Sequence, residues 1–180
     1  MNLFYRLVRV LLGILWSTRR LGVHDPSVLE FRVWPNDLDL NRHMNNGRYL
    51  TVMDLGRIDL IGRMGLIATV REQRWFPVLG SAVIRYHRPL AFPERYTLVT
   101  RIVGWDEKWF YLSQMFTRGG TPVASAFAKG LVRAPGRSDP TGEILAAAGI
   151  TEPSPPLPEP IVRWLEADAS LASPTPGPAR

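Results

Sequence analysis

Residues 36–50 read NDLDLNRHMNNGRYL. Between Asp37 and Asn46 they hold two carboxylates (Asp37, Asp39), one imidazole (His43) and three carboxamides (Asn41, Asn45, Asn46). The apolar period then becomes helical. Tyr49, Val52, Met53, Gly56, Leu60, Met64 and Ile67 share one face, and Arg48, Arg57 and Arg63 fall mostly off it. The spacing predicts a helix of about 22 residues from Asn46, roughly 33 Å long, with the asparagines where an N-cap is wanted.

The flanks say what that helix packs on. Upstream, VLEFRVW (28–34) alternates apolar and polar and reads as a strand, ended by Pro35. Downstream of Pro77, strands are predicted at 78–87, 95–105, 109–118 and 122–133. Asp106-Glu107-Lys108 forms a hairpin turn between two tryptophans, and Gly119-Gly120 forms another. FPE at 92–94 is a tight connection. One strand, a long helix and four antiparallel strands make an α+β domain. Its helix can bury one face in the concave side of a curved antiparallel sheet, the hot-dog fold. The domain is expected over residues 21–134.

Residues 1–20 form a separate amphipathic element. Asn2, Arg6, Arg9, Gly13, Ser17 and Arg20 share a narrow stripe, and the rest up to Trp16 is apolar or aromatic. The longest apolar run, Val10 to Trp16, is too short to span a bilayer, which takes about 20 residues. Two fates are open: lying in a membrane interface, or packing on its own domain or a partner subunit. Residues 135–180 are a Pro-rich extension holding ten of the sixteen prolines. Short helices are predicted at 142–148 and 159–169, joined by a rigid PSPPLPEP connector, and the last ten residues are expected to be disordered.

The chain has 180 residues, 46% of them hydrophobic, enough for one real core. It has no cysteine, which excludes disulfides, thiolate nucleophiles and zinc-thiolate sites and suits a reducing compartment. The expected location is the cytoplasm, with a position peripheral to a membrane as the open alternative. The formal charge is +6, yet only Lys108 and Lys129 are lysines, the arginines are dispersed, and no nucleic-acid motif accompanies them. Nucleic acid is therefore not an expected partner; anionic membrane surfaces or phosphate-bearing ligands suit a diffuse positive field better. Three isolated histidines without ligand spacing make no metal site, and no cofactor is expected.

The spacing of Asp39, Asn41, His43, Asn45, Asn46 and Tyr49 resembles the entrance motif of hot-dog thioesterases, both the 4-hydroxybenzoyl-CoA group and the plant acyl-ACP enzymes. RVWPNDLDLNRHMNNGRYL and TRIVGWDEKWFYL resemble the thioesterase superfamily member six branch, as does the apolar N-terminus. The likeness covers residues 28–133. It implies a thioester hydrolase, assembled as a homodimer or higher homo-oligomer, with sites at the subunit interface. It also implies that Asp39 is the catalytic carboxylate and that Asn41 and His43 are its partners. The plant enzymes carry a further acid on the strand after the helix; this chain has Tyr86-His87-Arg88-Pro89-Leu90 there.

The chemistry needs a polarised carbonyl and an attacking oxygen. Asp39 can attack directly or deprotonate a water. Backbone N–H groups at the helix start are natural oxyanion donors, aided by the helix dipole. Asn41 can orient the Asp or a water, and His43 can shuttle a proton. Asn45, Asn46 and Tyr49 are the candidate substrate contacts, together with Arg88, which joins Arg85 and Arg95 as candidate phosphate contacts for CoA or carrier protein. Asp37 reads as a loop hydrogen-bonder. The expected function is hydrolysis of medium- or long-chain acyl-CoA or acyl-ACP. The rivals are a non-catalytic acyl-thioester or lipid binder at a membrane surface and, more remotely, a hot-dog dehydratase, whose glycine- and proline-rich histidine motif is absent.

Overall fold

The computed structural model describes residues 2–135 and 141–171. Five strands form one antiparallel sheet: β1 (Ser27–Arg32), β2 (Phe76–Tyr86), β3 (Arg95–Trp105), β4 (Phe110–Arg118) and β5 (Thr121–Arg133). Their spatial order is β1-β3-β4-β5-β2, so β1 and β2 are the edges. Register shifts at Leu79/Ser81, Ile102/Gly104 and Phe116/Thr117 bend the strands, as bulges do. The long helix α2 (Asn46–Arg63) lies against this sheet, burying Tyr49, Val52, Met53, Leu55, Gly56 and Leu60. This is the hot-dog arrangement.

The helix lies tight against the sheet at Gly56. A Cβ there would stand 2.3 Å from Thr100 Oγ1 and 2.8 Å from Leu98 Cδ2. The helix is shorter than its apolar period predicts: 18 residues, roughly 27 Å. Gly65 adopts φ +82°, and the Leu66 N–H turns back to the Ile61 carbonyl at 3.2 Å, a Schellman-type stop. Ile67 continues the apolar period but belongs to a separate short helix, α3 (Ile67–Glu72). Periodicity alone did not register that stop signal.

The N-terminal helix α1 (Asn2–Trp16) divides its apolar arc between two faces. Leu3, Leu7, Val10 and Ile14 pack inward against the core. Ile14 sits against α2 so closely that a Cβ on Gly62 would meet it at 2.6 Å. Phe4, Tyr5, Leu11, Leu12, Leu15 and Trp16 point outward, Leu15 and Trp16 at 77% and 78% exposure. Packing on its own domain is thus realised for half the helix. The arginine stripe is not simply a solvent edge, because Arg6 is 3% exposed.

The C-terminal extension docks on the sheet. Helix α4 (Thr141–Ala147) buries Ile144. The proline-rich connector is pinned where the Trp105 N–H donates to Ser154 Oγ at 2.8 Å. Helix α5 (Glu159–Leu171) buries Ile161, stacks Trp164 on Phe127 of β5 with ring centroids 6.4 Å apart, and pairs Asp168 with Lys129 and Ser81. Apart from Leu171, the tail expected to be disordered lies outside the described residues.

Candidate active site

The loop between β1 and α2 is a small hairpin. The Asp39 N–H donates to the His43 carbonyl at 2.8 Å, and the Arg42 N–H donates to the Asp39 carbonyl at 3.0 Å. Arg42 takes φ +60° at the tip, a left-handed position few non-glycine residues adopt. The base is fastened to the bend after β2 by the Met44 N–H, 2.7 Å from the Leu90 carbonyl.

Asp39 is held by backbone. Its Oδ1 accepts the Asn41 N–H at 2.8 Å and, more weakly, the His43 N–H at 3.3 Å. Oδ2 has no hydrogen-bond partner among the described residues. The three predicted catalytic residues therefore come together through main chain: neither the Asn41 carboxamide nor the His43 imidazole bonds the carboxylate, and both side chains are exposed. The carboxylate's direction is fixed while one oxygen stays available, which suits a base or nucleophile.

Asn45 is the N-cap, its Oδ1 accepting the Gly47 N–H at 2.8 Å. The Arg48 N–H goes to the Asn45 carbonyl. Of the first three helical N–H groups, only that of Asn46 lacks a partner among the described residues, so one N–H rather than several is available at this entrance. The Asn46 carbonyl accepts the Tyr86 hydroxyl at 3.1 Å, tying helix start to strand end.

Two predicted contacts sit differently. Tyr49 is 2% exposed, its ring edge-on to both Tyr86 and Phe116. Burial, with Tyr86 next in importance, pushes its hydroxyl up to about 12. In this chain it is a core residue beneath the entrance rather than a surface a substrate meets. The arginine group also separates. Arg88 is exposed just past β2, whereas Arg95 opens β3, three strand spacings away in the sheet order, roughly 14 Å. Arg95 faces the α1 side with Arg6, Arg9 and Arg32. Where the plant enzymes carry their acid this chain has Pro89; two residues earlier, His87 shares a 2.8 Å hydrogen bond with Ser125 Oγ.

A cavity of about 410 Å³ runs along the second half of α2. Its walls are apolar: Ile58 and Ile61 of α2, Val78 of β2, Leu112 of β4, Val132 of β5, and Ile144 of α4. Asp54 and Arg57 stand at its polar rim. Arg57 is held by Asp54 and by Gln114 Oε1 at 2.7 Å. Gln114 is fully buried and donates to the Met53 carbonyl at 2.9 Å and Thr100 Oγ1 at 3.0 Å. Sequence reading missed this rim. The available signal was strand phase, since Gln114 falls between the inward Leu112 and Phe116 and so must itself point inward.

Residues 33–165 match the Thioesterase-like superfamily. The chain is similar to Protein THEM6 of Danio rerio, 46% identical over 119 residues that cover 62% of this chain and 59% of the fish protein. It is also similar to Protein THEM6 of Drosophila melanogaster, 31% identical over 174 residues that cover 92% and 86% of the two chains. Among solved structures, a gentisyl-coenzyme A thioesterase superposes with a TM-score of 0.58 at 22% identity, covering 67% of this chain and 97% of that one. A helix entered through a backbone-held Asp39, laid in a five-stranded antiparallel sheet and matched over most of its length, makes this chain a member of the Thioesterase-like superfamily.

Proposed function

We propose that this protein hydrolyses acyl thioesters of coenzyme A or acyl carrier protein, with medium- or long-chain acyl groups, and that Asp39 is the general base or nucleophile. One observation carries the reading. The same helix has a backbone-held carboxylate at its entrance and an apolar cavity of about 410 Å³ along its second half, a volume ordinary for a small-ligand site. As base, Asp39 Oδ2 takes a proton from water; the hydroxide adds to the thioester carbon. The Asn46 N–H donates to the developing oxyanion. On collapse the C–S bond breaks and the thiolate takes a proton, for which the exposed His43 is the candidate donor.

Carboxylate and cavity are separated along one helix. From Asn46 to Asp54 the rise is roughly 12 Å. A second copy brings them together. Strand β2 is an edge of 11 residues with Phe76, Val78, Leu79, Val83 and Tyr86 exposed. Such an edge offers unpaired N–H and C=O groups to another strand. Two-fold antiparallel pairing of β2 with its copy sets the two α2 helices in opposite directions. One subunit's entrance then faces the cavity half of the other. The proposed unit is thus a homodimer with composite sites.

The non-catalytic binder stays as second reading, because Pro89 stands where the plant enzymes carry their further acid. Thiol release from a panel of acyl-CoAs, short to long and aromatic, separates the two. Wild type is expected to turn over, and Asp39→Asn to lose about a hundredfold or more. Retention of acyl-CoA without thiol release assigns the binder. Turnover unaffected in Asp39→Asn removes Asp39 from the chemistry.

A further inference from the structure

The outward face of α1 and the groove beside it have no role in the thioester chemistry. The groove, about 260 Å³, lies between α1 and β1 and is lined by Arg6, Arg9, Arg32 and Arg95 with Tyr5, Phe31 and Trp34; Glu30 is its one acid. Arg32 and Arg95 are cross-strand partners at the end of the β1–β3 ladder. Like charges placed opposite each other in a sheet are destabilising, and neither guanidinium has an ion-pair partner among the described residues. Arg9 adds a third guanidinium, 5.2 Å from the Phe31 ring centroid, its only hydrogen bond among the described residues going to the Glu30 carbonyl. The groove is built to receive negative charge.

Tyr5 belongs both to this groove and to the exposed apolar face of α1. On the helical wheel Leu12 and Trp16 flank Tyr5; Val8, Leu15 and Phe4 follow on the Leu12 side, and Arg9 borders the Trp16 side. No helix among the described residues is long and apolar enough to cross a membrane. An apolar helix face with aromatic residues and an arginine rim suits in-plane insertion at headgroup depth. A second copy on this face would be an isologous partner, setting the arginine rim against itself; an anionic bilayer neutralises it.

We infer that α1 docks this protein onto anionic phospholipid bilayers, its apolar face in the interface and a phosphate headgroup in the groove of Arg9, Arg32 and Arg95. The inference stands whether or not Asp39 is catalytic.

The test is co-sedimentation of the full chain with vesicles of phosphatidylcholine alone and of phosphatidylcholine mixed with phosphatidylglycerol. Three proteins are compared: wild type, Leu15→Glu/Trp16→Glu and Arg32→Glu/Arg95→Glu. Wild type is expected to pellet with the mixed vesicles and little with phosphatidylcholine alone. Each double variant should weaken that binding by about tenfold or more, with an unchanged melting temperature. Equal pelleting with both lipids, pelleting with neither, or full retention by both variants overturns the inference. So does a lower solution mass of Leu15→Glu/Trp16→Glu without lipid, which would assign the face to a second copy.

Discussion

The Arg6 guanidinium donates to both oxygens of the Asp37 carboxylate, at 3.1 and 2.6 Å, with each side chain almost wholly out of solvent. The same guanidinium donates to the Arg32 carbonyl at 2.6 Å. Asp37 in turn accepts the Trp34 N–H at 2.8 Å, and its carbonyl takes the Asn45 N–H at 2.8 Å. Helix α1, the end of β1 and the cap of α2 thus meet at one buried ion pair two residues before Asp39. Removing Arg6 takes the nearest cation from a buried carboxylate that Arg48 meets more weakly, at 3.7 Å. Arg6→Met should destabilise by about 3 kcal/mol in urea denaturation. Arg6→Met/Asp37→Asn should recover part of that, as expected of directly coupled residues. With Asp37→Asn measured as well, a double-variant loss equal to the sum of the two single losses would mean the pair is not coupled.

Asp59 has the opposite sign. It is buried and accepts the Ser27 hydroxyl at 2.7 Å, with Arg63 at 3.9 Å. Burial raises its pKa against the lowering pulls of Ser27 and Arg63. A raised folded pKa contributes stability that is whole below the ordinary 3.8 and lost as pH rises through the folded value. At neutral pH the charge is therefore a burden. Asp59→Asn keeps an acceptor for Ser27 and should gain on the order of 1 kcal/mol at pH 7, with no gain near pH 3. The comparison needs only two urea curves per protein.

Gly56 has no room for a methyl group. Alanine in a helix interior is ordinarily favoured over glycine by about 1 kcal/mol. Here the Cβ would overlap Thr100 Oγ1 and press on Leu98, both in the sheet. Gly56→Ala should be destabilising by about 1–3 kcal/mol through overpacking, seen as a lower melting temperature. A neutral or higher one would show that helix and sheet can separate freely.

Asp168 holds α5 to the sheet by its bonds to Lys129 and Ser81, and these lower its pKa, Lys129 most. A depressed folded pKa contributes stability present above 3.8 and lost as pH falls through the folded value. Protection factors of the α5 amides, corrected for the intrinsic pH dependence of exchange, should therefore fall in acid. Asp168→Asn should show the lowered protection already at neutral pH. Acid-independent protection in the wild type would assign the clasp to apolar contacts, the Phe127–Trp164 stack and buried Ile161 among them.

The proposed β2 pairing also has a direct check. Val83 is 40% exposed on that edge. Val83→Asp should halve the solution mass measured by light scattering and abolish thiol release together, since each composite site needs both chains. A monomeric variant that keeps full turnover would place the whole site in one subunit.

Most strands were legible because they alternate between two environments, as β3 and β5 do; β2 does not alternate and is exposed along most of its length. Arg95–Trp105 begins and ends where its pattern predicts, and the others shift by one or two residues. Asp39 and Asn45 were legible because capping and turn chemistry is local. Arg6 was not. Its phase on the wheel is polar, and nothing nearby reveals that Asp37, 31 residues on, accepts its charge in the interior. The same limit hid Gln114 and Arg57, which meet across 57 residues. The split of α1 into two apolar faces needed the position of α2, because the arc itself is continuous.

Part of the cavity wall comes from outside the hot-dog elements. Ile144, Ala148 and Ile150 belong to α4 and the residues just after it, in the extension pinned through Ser154. Trimming the chain to its core for crystallisation would therefore open the compartment and uncover Phe127. The arrangement also ties two properties together. Ile144 and Ile150 share one buried cluster with Leu60 of α2, its C-cap Met64 and Leu112 of the sheet. Substitutions there resize the compartment and disturb the helix–sheet packing at once, so a change of ligand-size preference through the tail carries a cost in stability.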